Sequence, residues 1–187
     1  MLKFIKRTVI IVILLLIAAA AARFYVIPRY VLPLKYSEYV EKYSEQYGVD
    51  KYLVYAVIHS ESSFKSEALS HKDAKGLMQI TPDTGKWAAE IIGIEDFEEE
   101  DLFDPETNIK IGCWYLSRLM NQFDGIEKTA VAAYNAGSGK VSGWLSDKTY
   151  SADGKNLDAI PYEETLKYVK RVDFIYKMYT YIYNSGA

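Results

Sequence analysis

The sequence predicts a mostly α-helical fold that follows an apolar N-terminal segment. Apolar residues recur every three or four positions through most of the chain after residue 36, and residues that start and stop helices punctuate the pattern. No convincing run of alternating apolar and polar residues indicates a β-sheet. The 187 residues, half apolar and a quarter charged, can bury the core of one domain and carry a short appendage. We therefore expect an N-terminal segment over 1–27, a linker over 28–36 and a single domain over 37–187.

The N-terminal segment has the composition of a signal peptide or of a signal anchor. A basic start precedes an uncharged stretch at 8–22, and with Arg23 as the only charge the apolar character continues to Ile27. That length reaches the roughly 20 residues that a helix needs to cross a bilayer. The alanines before Arg23 fit a cleavage site, whereas the continuation to Ile27 favours a retained single-pass anchor. Both alternatives export residues 36–187, either on the outer face of the membrane or as a secreted protein.

Two helices are expected between the linker and the middle of the chain. Ser37 is a candidate N-cap of the first helix, which Gly48 would end because glycine readily adopts the left-handed conformation at a helix C-terminus. Asp50 is the candidate N-cap of the second helix, which runs to Glu61. The polar loop that follows leaves room for a short extended or hairpin element over 70–80.

Two prolines mark the next pair of helices. Thr81-Pro82 and Asp104-Pro105 each combine a residue that caps helices with a proline suited to the first helical turn. Three more helices are expected towards the C-terminus, and the last of them is the longest. They fall within residues 125–137, 139–145 and 162–184.

Composition narrows the kinds of partner and cofactor. Four basic residues and no acidic residue occupy the first 23 positions, and the remaining chain holds 18 basic and 25 acidic residues. An acidic body without a cluster of Lys and Arg argues against nucleic acid as a partner. His59 and His71 are isolated and Cys113 is the only cysteine, so the sequence predicts no metal site, no intrachain disulfide and no cofactor.

One acidic residue stands on an apolar helix face. Glu61 follows Val54, Val57 and Ile58 by seven, four and three positions, so these residues share one side of the helix. Burial disfavours an ionised carboxylate and therefore raises its pKa. A carboxylic acid that stays protonated near neutral pH can donate its proton to a leaving oxygen, as a general acid does in glycosidic cleavage. The alternative is a solvated glutamate at a helix end, and spacing alone does not separate the two.

Four separated blocks of residues carry the pattern of a known family. The matching positions are Glu61-Ser62, Ser70, Gly76-Leu77-Met78-Gln79, Pro82 and Thr84; Asn108-Ile109, Gly112, Tyr115-Leu116 and Leu119; Ala133-Tyr134-Asn135-Ala136-Gly137; and Ile160-Pro161-Tyr162, Glu164-Thr165 and Tyr168-Val169. In this order the blocks resemble the lytic transglycosylases with a goose-lysozyme-like catalytic domain, which cleave bacterial peptidoglycan. The resemblance covers roughly residues 45–175. It implies a single lysozyme-like helical domain of the goose type, and the N-terminal segment would place this domain at the bacterial cell membrane.

The resemblance makes Glu61 the single catalytic acid/base of a peptidoglycan lyase. Glu61 would protonate the oxygen between N-acetylmuramic acid and N-acetylglucosamine, and then accept the proton of the muramic C6 hydroxyl as a 1,6-anhydro ring closes. The β-1,4 bond would break without the consumption of water. Ser70 and Gln79 match positions that contact the sugar beside the scissile bond.

Three later residues complete the site that the resemblance implies. Tyr134 matches the tyrosine that holds the catalytic carboxyl group, Asn135 lines the same groove, and Glu164 belongs to the polar network of the site. The residues alone also allow a helix C-terminal turn for the first two and a first-turn acid for Glu164. The chain departs from the family at Thr81, where methionine is frequent, and this change affects a subsite contact rather than the chemistry.

Two other functions stay open at the level of sequence. A true lysozyme would hydrolyse the same bond with a second carboxylate, for which Glu67, Asp73 and Glu164 are candidates, because most glycoside hydrolases use two. A peptidoglycan-binding module without activity would instead scaffold a machine that crosses the cell wall. The expected partners are glycan strands, the membrane through residues 1–27, and cell-wall machinery that the sequence does not identify.

Overall fold

The computed structural model describes residues 2–184, except for the side chains of residues 2, 3, 22, 24, 25 and 28. The end of the predicted domain at 185–187 lies outside the described residues. The α-helices are α1 (Leu2–Ala21), α2 (Ser37–Tyr47), α3 (Lys51–Ser62), α4 (Pro82–Ile92), α5 (Pro105–Gln122), α6 (Glu127–Ala136), α7 (Ser138–Ser146) and α8 (Glu163–Asn184). A π-helical stretch, Ala22–Val31, follows α1, and a 3₁₀ helix, Glu99–Phe103, precedes α5. The prediction of a mostly α-helical fold is confirmed.

Two isolated bridges are the β-structure found within residues 2–184. Lys75 pairs antiparallel with both Leu69 and Ile80, at the short extended element that was expected over 70–80. These bridges fold the polar loop between α3 and α4 back on itself. We call residues 63–81 the floor loop, because they form the base of the cavity described below.

The chain divides into two compact units. The larger unit, Tyr36–Lys177, contains α2 to α7 and most of α8, and the smaller unit joins the N-terminal segment up to Lys35 with the end of α8 from Met178. The domain bounds expected from the sequence remain predictions.

Helix α3 forms the centre of the larger unit. Its residues from Leu53 to Ile58 are each at most 2% exposed, so the helix is buried on all sides rather than along one stripe. Helix α5 packs against α2, α4 and α6. A side chain at the end of this helix is therefore held on a backbone that has little freedom to move.

The predicted helix starts are correct at three of four positions. Asp50, Thr81 and Asp104 are N-caps whose side-chain oxygens accept hydrogen bonds from backbone N–H groups of the first turn. The prediction that Ser37 caps α2 is wrong, because Ser37 is the first helical residue. Tyr36 holds the N-cap position with a left-handed backbone, φ 58°, and makes no side-chain capping bond. An N-cap is predicted from residue type alone. The prediction is therefore off by one position here, because a left-handed residue precedes the helix.

The smaller unit begins with a helix that is long and apolar enough to cross a membrane. The window Phe4–Ala21 has a mean hydropathy of 2.4 and is not buried inside the protein. The helical conformation continues through the π-helical stretch to Val31, so it enters the linker predicted over 28–36.

Candidate active site

One cavity brings together the six residues that the sequence predicted for the site. Its volume is about 190 Å³, and its walls come from the C-terminal turn of α3, the floor loop, the end of α6 and the start of α8. The lining residues are Glu61, Ser70, His71, Lys72, Ala74, Gln79, Thr81, Tyr134, Asn135 and Glu164. A second cavity of about 200 Å³ shares Gln79, Thr81, Tyr134 and Asn135 with the first and extends to Thr84 and Tyr115. The two cavities form one groove.

Glu61 reaches this groove from the last turn of the buried helix α3. The side chain stays partly exposed, but the apolar packing around its carboxyl group raises the pKa to about 7. The negative charge of Glu164 raises the pKa further, whereas Tyr168 and Arg171 lower it. Burial is the largest of these effects, and it leaves Glu61 protonated to a substantial degree at neutral pH.

Tyr168 is the hydroxyl-bearing neighbour that acts directly on Glu61. Its ring is buried in α8, and the hydroxyl oxygen has no hydrogen bond of standard geometry to any residue that the structure describes. Its interaction with the Glu61 carboxyl is therefore loose, yet it favours the carboxylate and lowers the pKa of Glu61. The buried position of Tyr168 in turn raises the pKa of its own hydroxyl well above the usual value.

The floor loop is held by one buried side chain of α5. Asn108 is fully buried, and its Oδ1 accepts a 2.7 Å hydrogen bond from the backbone N–H of Met78. Its Nδ2 donates to the carbonyl oxygens of Lys75, at 2.9 Å, and Leu102, at 2.7 Å. These bonds satisfy backbone groups of an irregular segment that would otherwise be buried without partners.

Two glycines allow the floor loop to lie this close to α5. A Cβ atom on Gly76, whose φ is +76°, would stand 2.1 Å from the carbonyl oxygen of Leu102. A Cβ atom on Gly112 would stand 2.2 Å from the sulfur of Met78. Gly76 excludes any larger residue, because its close neighbour is backbone, whereas a side chain at Gly112 would force the buried Met78 side chain to move. These contacts give a physical reason for the two glycines in the sequence motif.

Gln79 lies at the junction of the two cavities with a left-handed backbone, φ 50°. Its Nε2 donates to the carbonyl oxygens of Ala68, at 3.1 Å, and Gly76, at 2.9 Å. A residue other than glycine is strained in this conformation, and such strain is concentrated at functional sites. The two bonds fix the amide and leave its Oε1 as the atom that can accept a hydrogen bond from a ligand.

Ser70 shapes the rim of the groove. Its Oγ accepts hydrogen bonds from the backbone N–H groups of Lys72, at 3.2 Å, and Ala74, at 3.0 Å, and so organises the turn. The Nζ of Lys72 then lies 3.6 Å from a carboxylate oxygen of Glu164 on α8. Both charged side chains are well exposed, so this ion pair across the mouth of the groove contributes little stability.

Tyr134 and Asn135 lie at the end of α6 and face the groove. The Tyr134 hydroxyl donates a 2.9 Å hydrogen bond to the carbonyl oxygen of Met78, whereas the resemblance implied a bond to the catalytic carboxyl group. The Oδ1 of Asn135 accepts a 2.8 Å hydrogen bond from the hydroxyl of Thr165. The Nδ2 of Asn135 remains as the donor that can reach a ligand.

The other carboxylates proposed for a second catalytic role are placed differently. Glu67 and Asp73 are exposed residues of the floor loop, and neither lines the cavity that contains Glu61. A carboxylate oxygen of Asp73 lies 3.6 Å from the Nζ of Lys75. Glu164 lines the cavity, but its exposed side chain forms the ion pair with Lys72.

Sequence reasoning did not predict how Asn108, Tyr168 and Arg171 act on the site: the first holds the floor loop, and the other two lower the pKa of Glu61. Asn108 and Tyr168 stood in the matching blocks without a role, because each acts through a contact with a distant part of the chain. For Tyr168 a signal was available, since it follows Glu164 by four positions and so shares its helix face. Arg171 carries no sequence signal, because its effect on Glu61 depends on how α8 packs.

The fold and the cleft together define a helical domain of the lysozyme-like class. The chain belongs to the transglycosylase SLT domain family, whose profile matches residues 38–157. This match confirms the resemblance drawn from the sequence. It includes the residues from Glu61 to Asn135, whereas Glu164 and Tyr168 lie beyond the matched range.

Individual relatives agree with this assignment. The chain is 35% identical to the soluble lytic murein transglycosylase of Salmonella typhimurium over 142 residues, which are 75% of this chain and 22% of that protein. It is 39% identical to the membrane-bound lytic murein transglycosylase C of Sodalis glossinidius over 123 residues, covering 57% of this chain and 32% of that protein. An inactive mutant of the lytic transglycosylase Slt from Pseudomonas aeruginosa superposes with a TM-score of 0.75 and 30% identity, over 88% of this chain and 27% of that chain. The chain thus spans less than a third of the length of each of these proteins.

Proposed function

We propose that this chain is a peptidoglycan lytic transglycosylase that cleaves the bond between N-acetylmuramic acid and N-acetylglucosamine, with Glu61 as its single acid/base. The observation that carries the proposal is the Glu61 carboxyl group, which has a pKa of about 7 on the wall of an open polar groove. A general acid works best when its pKa lies near the working pH, because it can then both donate and regain a proton.

The reaction needs one proton to leave Glu61 and one to return. Glu61 protonates the bridging oxygen while the bond from that oxygen to the muramic C1 breaks, and the acetamido oxygen of the same sugar bonds to C1. The C6 hydroxyl then attacks C1, the bond to the acetamido oxygen breaks, and the hydroxyl proton passes to the Glu61 carboxylate. Because the C6 hydroxyl is attached to the same sugar, its effective concentration exceeds that of water.

The neighbouring side chains bind and orient the sugars. The Oε1 of Gln79 and the Nδ2 of Asn135 supply one acceptor and one donor beside Glu61, and each amide is already fixed by hydrogen bonds within the protein. A group that is held before the substrate arrives loses little freedom when it binds. Tyr168 lowers the pKa of the Glu61 carboxyl group and is not itself a proton donor in this scheme.

The placement of the other acids supports a lyase over a lysozyme. Most glycoside hydrolases use a second carboxylate about 5–9.5 Å from the first, as nucleophile or to position a water. Glu67 and Asp73 are exposed and do not line the cavity with Glu61. Glu164 does line it, but it lies at the mouth as the partner of Lys72.

Digestion of purified peptidoglycan tests the proposal. The full chain in detergent and its Glu61→Gln variant are incubated with peptidoglycan, and the released muropeptides are weighed. The expected products are lighter by one water than hydrolysis products, and the variant should release them at least about 10²-fold more slowly. Glu67→Gln is the matched control, because it neutralises an exposed acid outside the groove.

Each other outcome points to a different function. Full-mass reducing products would indicate a lysozyme, and loss of their release in Glu67→Gln or Asp73→Asn would identify the second acid. A folded wild type that binds peptidoglycan without releasing products would indicate the binding module. In that case Glu61→Gln should leave binding and cellular function intact.

The same proposal includes a retained membrane anchor, with the larger unit on the outer face of the bacterial cell membrane. One observation within the smaller unit supports retention over cleavage. The helical conformation runs past the alanines at the candidate cleavage site to Val31. The Arg23 guanidinium, which both the retained and the cleaved form would keep, donates to the carbonyl oxygens of Tyr181 and Ile182 at 3.3–3.4 Å.

The mass of the protein in the membrane fraction tests retention. The intact mass of the full 187 residues is expected there. A mass that begins near Arg23, recovered from the soluble fraction, would show that the segment is a cleaved signal peptide.

A further inference from the structure

An aromatic row extends from the groove onto the outer surfaces of α4 and α5. The ring of Tyr134 lies 5.4 Å from that of Tyr115, which lies 6.4 Å from that of Trp87, and Trp87 meets Trp114 edge to face at 5.0 Å. The guanidinium carbon of Arg118 lies 4.7 Å from the centre of the Trp87 ring. We call Trp87, Trp114, Tyr115 and Arg118 the platform.

The platform continues the groove and is not a separate patch. Tyr115 lines the second cavity together with Thr84, which precedes Trp87 by one turn of α4. Beyond Trp87, a shallow depression of about 660 Å³ is lined by Trp114, Ser117, Arg118, Asn121 and Gln122. A linear polymer that leaves the second cavity past Tyr115 therefore meets aromatic rings first and polar side chains next.

The side chains of the platform and depression suit a saccharide. Trp87 is 37% exposed, which is unusual for an indole and leaves apolar area that a sugar ring can cover. Asn121 and Gln122 offer planar amides that can donate and accept hydrogen bonds. Arg118 forms no ion pair with any carboxylate of residues 2–184, so its guanidinium donors can reach a ligand. A sugar carries several hydroxyl groups beside an apolar ring face. It therefore matches aromatic rings next to polar side chains better than a peptide does.

We infer that the platform is an additional saccharide subsite, which holds the glycan strand beyond the groove that contains Glu61. The inference rests on the proposed function, because it takes the polymer in the groove to be a glycan strand. It commits to the sugars of that strand and not to the peptides attached to them. A subsite beyond the groove makes the protein prefer long strands over short fragments.

The test measures binding as a function of strand length. Trp87→Ala and Arg118→Gln are introduced into the full-length Glu61→Gln chain, which holds substrate without cleaving it. Affinities in detergent are compared for a peptide-free tetrasaccharide and for long, peptide-free glycan strands. Trp87→Ala should weaken the binding of long strands roughly tenfold and that of the tetrasaccharide far less. Arg118→Gln should act in the same direction without removing a ring.

Ile91→Ala is the matched control, because Ile91 is an exposed apolar residue one turn after Trp87 on the same helix. This variant should bind both ligands like the parent chain. Equal losses on the short and the long ligand would overturn the inference, as would unchanged binding of long strands. A loss that appears only with peptide-bearing strands would also overturn it, in favour of a peptide contact. The experiment measures binding and not cleavage. The dependence of affinity on strand length can therefore be measured even if the chain proves inactive against peptidoglycan.

Discussion

Asn108 of α5 accepts a 2.7 Å hydrogen bond from the backbone N–H of Met78, thirty residues earlier in the floor loop. The same side chain donates to two further backbone carbonyl groups. One buried amide thus determines the conformation of the loop that carries Ser70 and Gln79. The stability of the protein and the shape of its groove depend on the same residue.

Asn108→Ala is expected to lower the free energy of unfolding by about 3 kcal/mol, because three buried hydrogen bonds lose a partner. Denaturant unfolding of the full chain in detergent measures the change. Asn121→Ala removes an amide from an exposed position of the same helix, and its stability should change by less than about 0.5 kcal/mol. Similar losses in the two variants would contradict the role assigned to Asn108.

Glu61→Gln should stabilise the protein relative to the wild type, and this difference should grow as the pH rises. The pKa of Glu61 is about 7 in the folded chain against an ordinary value of 4.5. Between these values the folded state binds more protons than the unfolded state, so the wild type loses stability with increasing pH while the glutamine variant does not. The difference should be near zero below pH 4 and approach at most about 3 kcal/mol above pH 7. Unfolding curves at pH 5 and pH 8 test it, and a difference independent of pH would refute the raised pKa.

Tyr168→Phe should shift the alkaline limb of the pH–rate profile to higher pH. The Tyr168 hydroxyl lowers the pKa of Glu61, so its loss raises that pKa and keeps the acid protonated at higher pH. The dependence of kcat/KM on pH reports this value for the free enzyme. Arg171→Gln should shift the limb in the same direction, because it removes a positive charge that also lowers the pKa of Glu61. Tyr162→Phe, which removes an exposed hydroxyl, is the control and should leave the limb in place.

Glu164→Gln should have the opposite effect. The Glu164 charge raises the pKa of Glu61, so its removal lowers that pKa and moves the alkaline limb to lower pH. Glu163→Gln is a close control, because it neutralises the adjacent residue, whose carboxylate pairs with Lys167 at 2.7 Å. Equal shifts in the two variants would indicate a general change of charge and not a specific effect on Glu61.

The parts of the structure that the sequence predicted are those determined by local contacts. The caps at Asp50, Thr81 and Asp104 bind backbone groups two or three residues away, so the residue types alone locate them. The position of Glu61 followed from its spacing within one helix, and its raised pKa followed from burial.

The parts that escaped prediction depend on contacts between distant segments. Asn108 reaches across thirty residues to Met78, and the hydroxyl of Tyr134 reaches the carbonyl oxygen of the same residue across fifty-six. The platform joins Trp87 of α4 to Arg118 of α5. No spacing rule within a helix indicates such pairs, because they depend on how the helices pack.

The ties between α5 and the floor loop also bear on how this protein can evolve. The part of the floor loop that α5 holds tolerates little change in sequence. The exposed residues at the rim of the groove can vary more freely. His71 and Lys72 are exposed at that rim, so their replacement should cost little stability. Under the proposed function, descendants of such a protein can acquire new preferences for modified cell walls while the residues that hold the floor loop stay the same.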